Sequence, residues 1–162
     1  MKNFTLCTPT NIIFGRDVEK KLGKEAAKYG KKVLVIHGSD RVKTTGLLDK
    51  LNNSLNEEGI TSLTLGGVLP NPRLNLVYEG IKICKEQNID LLLAVGGGSV
   101  TDTAKAISLG AKYEGDVWDF YTRKAKPITA LPVGVVVTIA ASGSEYSNDT
   151  VITNEKTGTK QA

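Results

Sequence analysis

The stretch that decides the fold is "AVGGGSVTDTAK", residues 94–105. It closes an apolar run over 90–95 and opens a segment over 100–109 whose apolar residues recur at helical spacing. Three consecutive glycines cost backbone entropy on folding, a cost that close approach of another group would offset. A strand that runs into a helix through such a turn brings free N–H groups to the positive end of the helix dipole. That combination suits a phosphate. Ser99 is expected to cap the helix, with Asp102 three residues on completing a capping box. The spacing is neither the Rossmann G-x-G-x-x-G nor the P-loop pattern. A tight strand–helix turn without a ligand therefore stays open as the second reading.

Working outward, the same alternation repeats. Short apolar runs over 32–37, 60–65 and 90–95 read as buried strands. Segments 45–58, 74–88 and 100–109 read as helices. The first carries Leu47, Leu48, Leu51 and Leu55 on one face, and the second carries Val77, Ile81 and Cys84. Strand alternating with helix predicts a parallel sheet with right-handed crossovers, covered on both faces. Segment 17–29 is expected as a further amphipathic helix. Segment 10–14 is expected as an edge strand, 128–131 and 133–138 as late strands, and 151–153 as the start of a hairpin.

Composition narrows the class. With 162 residues the chain suffices for one domain with a real core. Net charge is +4, but lysines and acids interleave, as in Glu19-Lys20-Lys21. No basic stripe with aromatics appears, which speaks against a nucleic-acid partner. No apolar run approaches the ~18 residues of a membrane helix. Met1-Lys2-Asn3-Phe4 lacks the apolar core of a signal peptide. Cys7 and Cys84 form no CxxC pair, in keeping with free thiols in a reducing, cytoplasmic setting.

Three other turns follow strands on the same side as the glycines. "IHGSDRVKTTG" over 36–46 is small and polar, and could meet the ribose of an adenosine. In "GGVLPNPRLN" over 66–75, two prolines stiffen the turn around Asn71. "TIAASGSEYSND" over 138–149 is rich in small residues and hydroxyls. Each alone reads as an ordinary loop. Four at one end of a parallel sheet point to a ligand site.

These residues resemble the iron-containing alcohol dehydrogenase family, and within it the butanol dehydrogenase and NADPH-dependent aldehyde reductase branch. The likeness rests on "FG" at 14–15, "PNP" at 70–72, "GGGSVTDTAK" at 96–105 and "SGSE" at 142–145. It implies a Rossmann-like α/β dinucleotide-binding domain over 1–162, followed in the family by an all-helical metal-binding domain. By that resemblance Gly96, Gly97, Gly98 and Ser99 would hold the pyrophosphate of NAD(P), beside Asp102. Gly38, Ser39 and Asp40 would lie by the adenosine ribose, with Asn71 nearby. Thr138, Ile139 and Ser142 would line the cofactor further along, and Lys160 would approach the nicotinamide ribose. The implied reaction interconverts small primary alcohols and aldehydes. A homodimer is left open.

The chain departs from the family in one respect. The resemblance implies iron or zinc held by one Asp and three His, and this sequence has a single histidine, His37. The expectation is therefore a cofactor-binding chain without a metal site and without catalysis of its own. A stand-alone nucleotide-binding module is one alternative. A glycerol dehydrogenase-like relative is another, although Ser99 stands where "GGGK" would be expected in that group. On cofactor form, Asp40 favours a free ribose hydroxyl, while Arg41 and Lys43 favour a 2′-phosphate. The charge count and the small Gly38-Ser39 pair give a slight preference for NADP.

Overall fold

A computed structural model describes residues 9–162. Cys7 and the opening residues lie outside that range. In chain order the elements are α1 (Leu22–Ala26), β1 (Lys32–His37), α2 (Arg41–Thr44), α3 (Leu47–Glu57), β2 (Thr61–Leu65) and α4 (Leu74–Gln87). Then come β3 (Leu91–Gly96), α5 (Gly98–Ala111), α6 (Trp118–Tyr121), β4 (Val133–Val137), β5 (Ile152–Asn154) and β6 (Thr159–Gln161). The first four strands form one parallel sheet in the order β2-β1-β3-β4. β5 and β6 form a separate antiparallel hairpin, Ile152 opposite Gln161.

The layering follows from strand periodicity. Successive side chains point to opposite faces. Val33, Val35, Leu91 and Leu93 therefore pack with Leu51 and Leu55 of α3 on one face. Leu34, Ile36, Leu92 and Ala94 pack with Val77 of α4 and Ala104 and Ile107 of α5 on the other. Full burial of Leu51 or Ile107, both at 0% exposure, stabilises the fold by about 1.5–3 kcal/mol each. The chain winds from β1 to β2 under α3, then crosses back over β1 to β3 under α4. This is the start of a doubly wound sheet, with the change of direction between β1 and β3.

Several boundaries differ from the sequence expectation. Segment 10–14 forms no strand; it pairs with no described strand, and Phe14 is 97% exposed. Segment 128–131 is not a strand either. It lies between Pro127 and Pro132, which lack the N–H a ladder needs. It is tied instead to the end of α5, where Leu131 N–H donates to Ser108 O at 3.2 Å and Ser108 Oγ donates to Leu131 O at 2.5 Å. Segment 17–29 divides into a 3-10 turn, Val18–Lys21, and the short α1. Among the described residues no helix is long and apolar enough to cross a membrane.

α1 docks on α3 through Gly23. The Gly23 N–H donates to Ser54 Oγ at 3.0 Å, and that hydroxyl donates to Lys20 O at 3.0 Å. A Cβ on Gly23 would lie 1.9 Å from the Ser54 backbone oxygen, so the two helices meet backbone to backbone. Gly23→Ala is expected to cost about 2–3 kcal/mol through overpacking. That corresponds to a Tm lower by roughly 5–10 °C for a chain of this size. Thermal unfolding followed by circular dichroism tests it, and an unchanged Tm would mean that the helices separate freely.

Candidate functional site

Parallel pairing sets the ends of the central strands side by side. His37 stands opposite Val95, and Gly96 opposite Val137. The turns that follow therefore open on one edge of the sheet, where ligands bind in open α/β folds. α5 begins there. Its cap is Gly97, in extended backbone at φ −100° and ψ −163°. The Gly97 carbonyl accepts from the Val100 and Thr101 amides, both at 3.1 Å. The two preceding amides, of Gly98 and Ser99, have no acceptor within the helix and are available to an anion.

The two glycines at this point differ in what surrounds them. A Cβ on Gly98 would lie 2.4 Å from Ser142 Oγ, so the protein itself fills that space. A Cβ on Gly97 would meet nothing within 4 Å. The room beside Gly97 is a cradle that a side chain would occupy and that the fold leaves open.

The expected capping box is not formed. The helix starts two residues earlier than a Ser99 cap requires, and no side chain caps it. Asp102 turns to a later segment instead. Its carboxylate accepts from Ser144 Oγ at 2.6 Å and from the Val151 N–H at 3.3 Å, and its carbonyl accepts from Thr150 Oγ1 at 2.7 Å. With those partners available, the carboxylate stabilises more by holding the loop than by capping an exposed turn.

Six of the expected residues, Asn71, Gly98, Ser99, Asp102, Ser142 and Lys160, line one cleft of about 460 Å³. Asn71 holds a left-handed backbone at φ 56° between the two prolines, and its side-chain oxygen accepts from Lys160 Nζ at 2.8 Å. The hairpin that carries Lys160 is anchored to the same turn. The Thr153 N–H donates to Pro72 O at 2.8 Å, Arg73 pairs with Glu155, and Asn75 Nδ2 donates to Glu155 at 3.1 Å.

The other expected residues are not among those that line this cleft. Gly96 ends β3, and Gly97 caps α5. Gly38 abuts the first turn of α5, since a Cβ there would be 3.7 Å from Val100 Cγ2. Ser39 and Asp40 are exposed beyond it. Asp40 pairs with Lys43 at 2.8 Å, and the hydrogen bond from Lys43, then its charge, hold the Asp40 carboxyl below its ordinary value. Thr138 donates its N–H to Gly96 O at 3.0 Å. Ile139 is 67% exposed and does not line the cleft.

Pro72, Ser144, Ser147, Asp149 and Val151 also line the cleft. Sequence reading did not single them out, although "SGSEYSND" carries the hydroxyls that mark them. His37 is 1% exposed, and its ring lies against Gly66, where a Cβ would come within 2.7 Å of Cε1. Among the described residues no three His, Cys, Asp or Glu side chains gather to hold a metal ion. The iron of the implied family thus finds no fitting donor set among the described residues.

Residues 9–162 match the family model described as iron-containing alcohol dehydrogenase. The chain is 52% identical over 160 residues to the "Probable NADH-dependent butanol dehydrogenase 1" of Bacillus subtilis, covering 99% of this chain and 41% of that protein. It is 39% identical over 165 residues to the "NADPH-dependent aldehyde reductase YqhD" of Escherichia coli, covering 100% of this chain and 42% of that protein. The crystal structure of NADH-dependent butanol dehydrogenase A from Thermotoga maritima superposes with a TM-score of 0.96 at 43% identity, over 99% of this chain and 41% of that one. The chain spans about two fifths of the length of these relatives. A glycine turn at the head of α5, a doubly wound sheet and a match along nearly the whole chain lead to one conclusion: the chain belongs to the iron-containing alcohol dehydrogenase family.

Proposed function

We propose that this chain is the cofactor-holding part of an oxidoreductase that interconverts small primary alcohols and aldehydes with NAD(P). The observation that carries the reading is the open cradle beside Gly97, at the N-terminus of a 14-residue helix. There the Gly98 and Ser99 amides and the helix dipole would take the pyrophosphate. The Gly38–Asp40 turn would receive the adenosine ribose. Lys160, steadied by Asn71, would meet the ribose next to the nicotinamide, with Ser142 on the opposite wall. The dinucleotide, once bound, supplies the hydride chemistry, and this chain's work is binding and orientation. The B. subtilis and E. coli relatives, named for butanol and for aldehyde, support the substrate class.

Calorimetric titration with NADH and with NADPH should show 1:1 binding. Gly97→Val should abolish it while leaving the Tm unchanged, because the extended Gly97 backbone admits a side chain and the space is open. A variant that binds like the wild type would remove the pyrophosphate assignment. A second expectation concerns chemistry. The isolated chain should give no alcohol-dependent NAD(P) reduction, and turnover that survives removal of contaminating enzymes would refute it.

On cofactor form two observations pull apart. Asp40 and Lys43 neutralise each other, and among the described residues Arg41 makes no ion pair, which supports the slight preference for NADP. The NADH in the name of the B. subtilis relative supports the other form. At ~4 Å a unit charge on a phosphate is worth about 4 kcal/mol at an effective dielectric near 20, before screening. Arg41→Ala is expected to weaken NADPH and spare NADH. Unchanged NADPH affinity in that variant, with weaker NADH binding in Asp40→Ala, would reverse the preference.

A further inference from the structure

Lys105 stands one helical turn beyond Asp102 on α5, with its side chain only 14% exposed. Its ammonium donates to the backbone carbonyls of Ser144 at 2.9 Å and Ser147 at 3.2 Å, and to that of Asp149. An ammonium has three N–H donors, and here three carbonyls from one irregular segment receive them. The Asp102 carboxylate, 3.6 Å away, supplies the countercharge. The same carboxylate accepts from Ser144 Oγ at 2.6 Å and from the Val151 N–H at 3.3 Å. Segment 144–151 thus wraps around a half-buried cation and carboxylate that both stand on α5.

That segment supplies Ser144, Ser147, Asp149 and Val151 to the wall of the cleft. Its local backbone bonds are few: Tyr146 N–H to Gly143 O at 3.0 Å and Ser147 N–H to Ser144 O at 3.3 Å. Carbonyls of an irregular loop need partners when they turn inward, and Lys105 provides three at one point. Glu145 and Asp149 also lie in the segment, and their charges join that of Asp102 in favouring the Lys105 ammonium. Desolvation pulls the Lys105 ammonium below its ordinary value, while Asp102 opposes that shift, as expected for a cation enclosed by its own loop.

We infer that Lys105 is a positioning residue for the cofactor cleft: its ammonium acts as a built-in cation around which the 144–151 wall folds. The role rests on the dinucleotide reading for its functional consequence, but not for its structural one. It also gives the lysine at the end of "GGGSVTDTAK" a task distinct from the glycines at its start.

The test uses Lys105→Ala in the full 162-residue chain, with n-propylammonium as the probe, since it replaces the deleted CH₂CH₂CH₂–NH₃⁺. In the ligand-free chain, amide hydrogen exchange over 144–151 should quicken in the variant, while β1 and β3 amides keep their protection. Propylammonium should restore protection, and n-propanol should not. NADH affinity should fall by about tenfold or more and recover with propylammonium alone. Wild-type exchange in the variant, or equal rescue by propanol, would overturn the inference, the latter by assigning the effect to the stem's packing. If Lys105→Ala does not fold, Lys105→Met keeps the stem and should show the same quickened exchange; unaltered exchange there overturns the inference too. Absence of NADH binding by the wild type would count against the dinucleotide reading, and the exchange measurements would still decide the role of Lys105.

Discussion

The parallel register of β1 against β3 is the constraint on which the rest depends. It sets His37 opposite Val95, so two strand ends finish together with turns leaving from each. The connection from β1 runs to β2 on one side, and that from β3 runs to β4 on the other. Neither connection crosses the gap between the two ends. A crevice at this place is a consequence of the winding, and the glycine turn of residues 96–98 opens directly onto it.

α5 contributes at three levels. Ala104, Ala106 and Ile107 bury one face of it in the core, at 0% exposure. Its first turn leaves amides free at the crevice. Its second turn carries Asp102 and Lys105, whose side chains gather the 144–151 segment from 39 to 49 residues downstream. A single helix therefore leaves amides free at its start and also holds one wall of the cleft. The hairpin completes the enclosure from the other side through Thr153, Glu155 and Lys160, each bonded to the turn or helix start around Asn71. The exposed ion pairs elsewhere, such as Lys82 with Glu86 at 3.8 Å, add little by comparison.

The four-stranded core was legible because its strands are buried on both faces and read as unbroken apolar runs, while α3 and α4 show one apolar stripe each. The same rule misreads 128–131, which is apolar but bounded by prolines, and 10–14, whose apolar residues find no described strand to pair with. The cap of α5 was misplaced for a related reason. Ser99 and Asp102 satisfy a local pattern, but Asp102 finds stronger partners in Ser144 and Val151, which no local window contains.

By itself, then, the sequence determined the alternation of strand and helix, the two covered faces, and the glycine turn at the head of α5. Periodicity states which face a residue presents, and glycine states where a backbone must be approached. Only the tertiary structure decided which residues share the cleft. Lys160 meets Asn71 across 89 residues of chain, and Lys105 meets the Asp149 carbonyl across 44. Such pairings are set by how the hairpin and the loop fold back over the sheet edge, and side-chain spacing along the chain carries no record of that path.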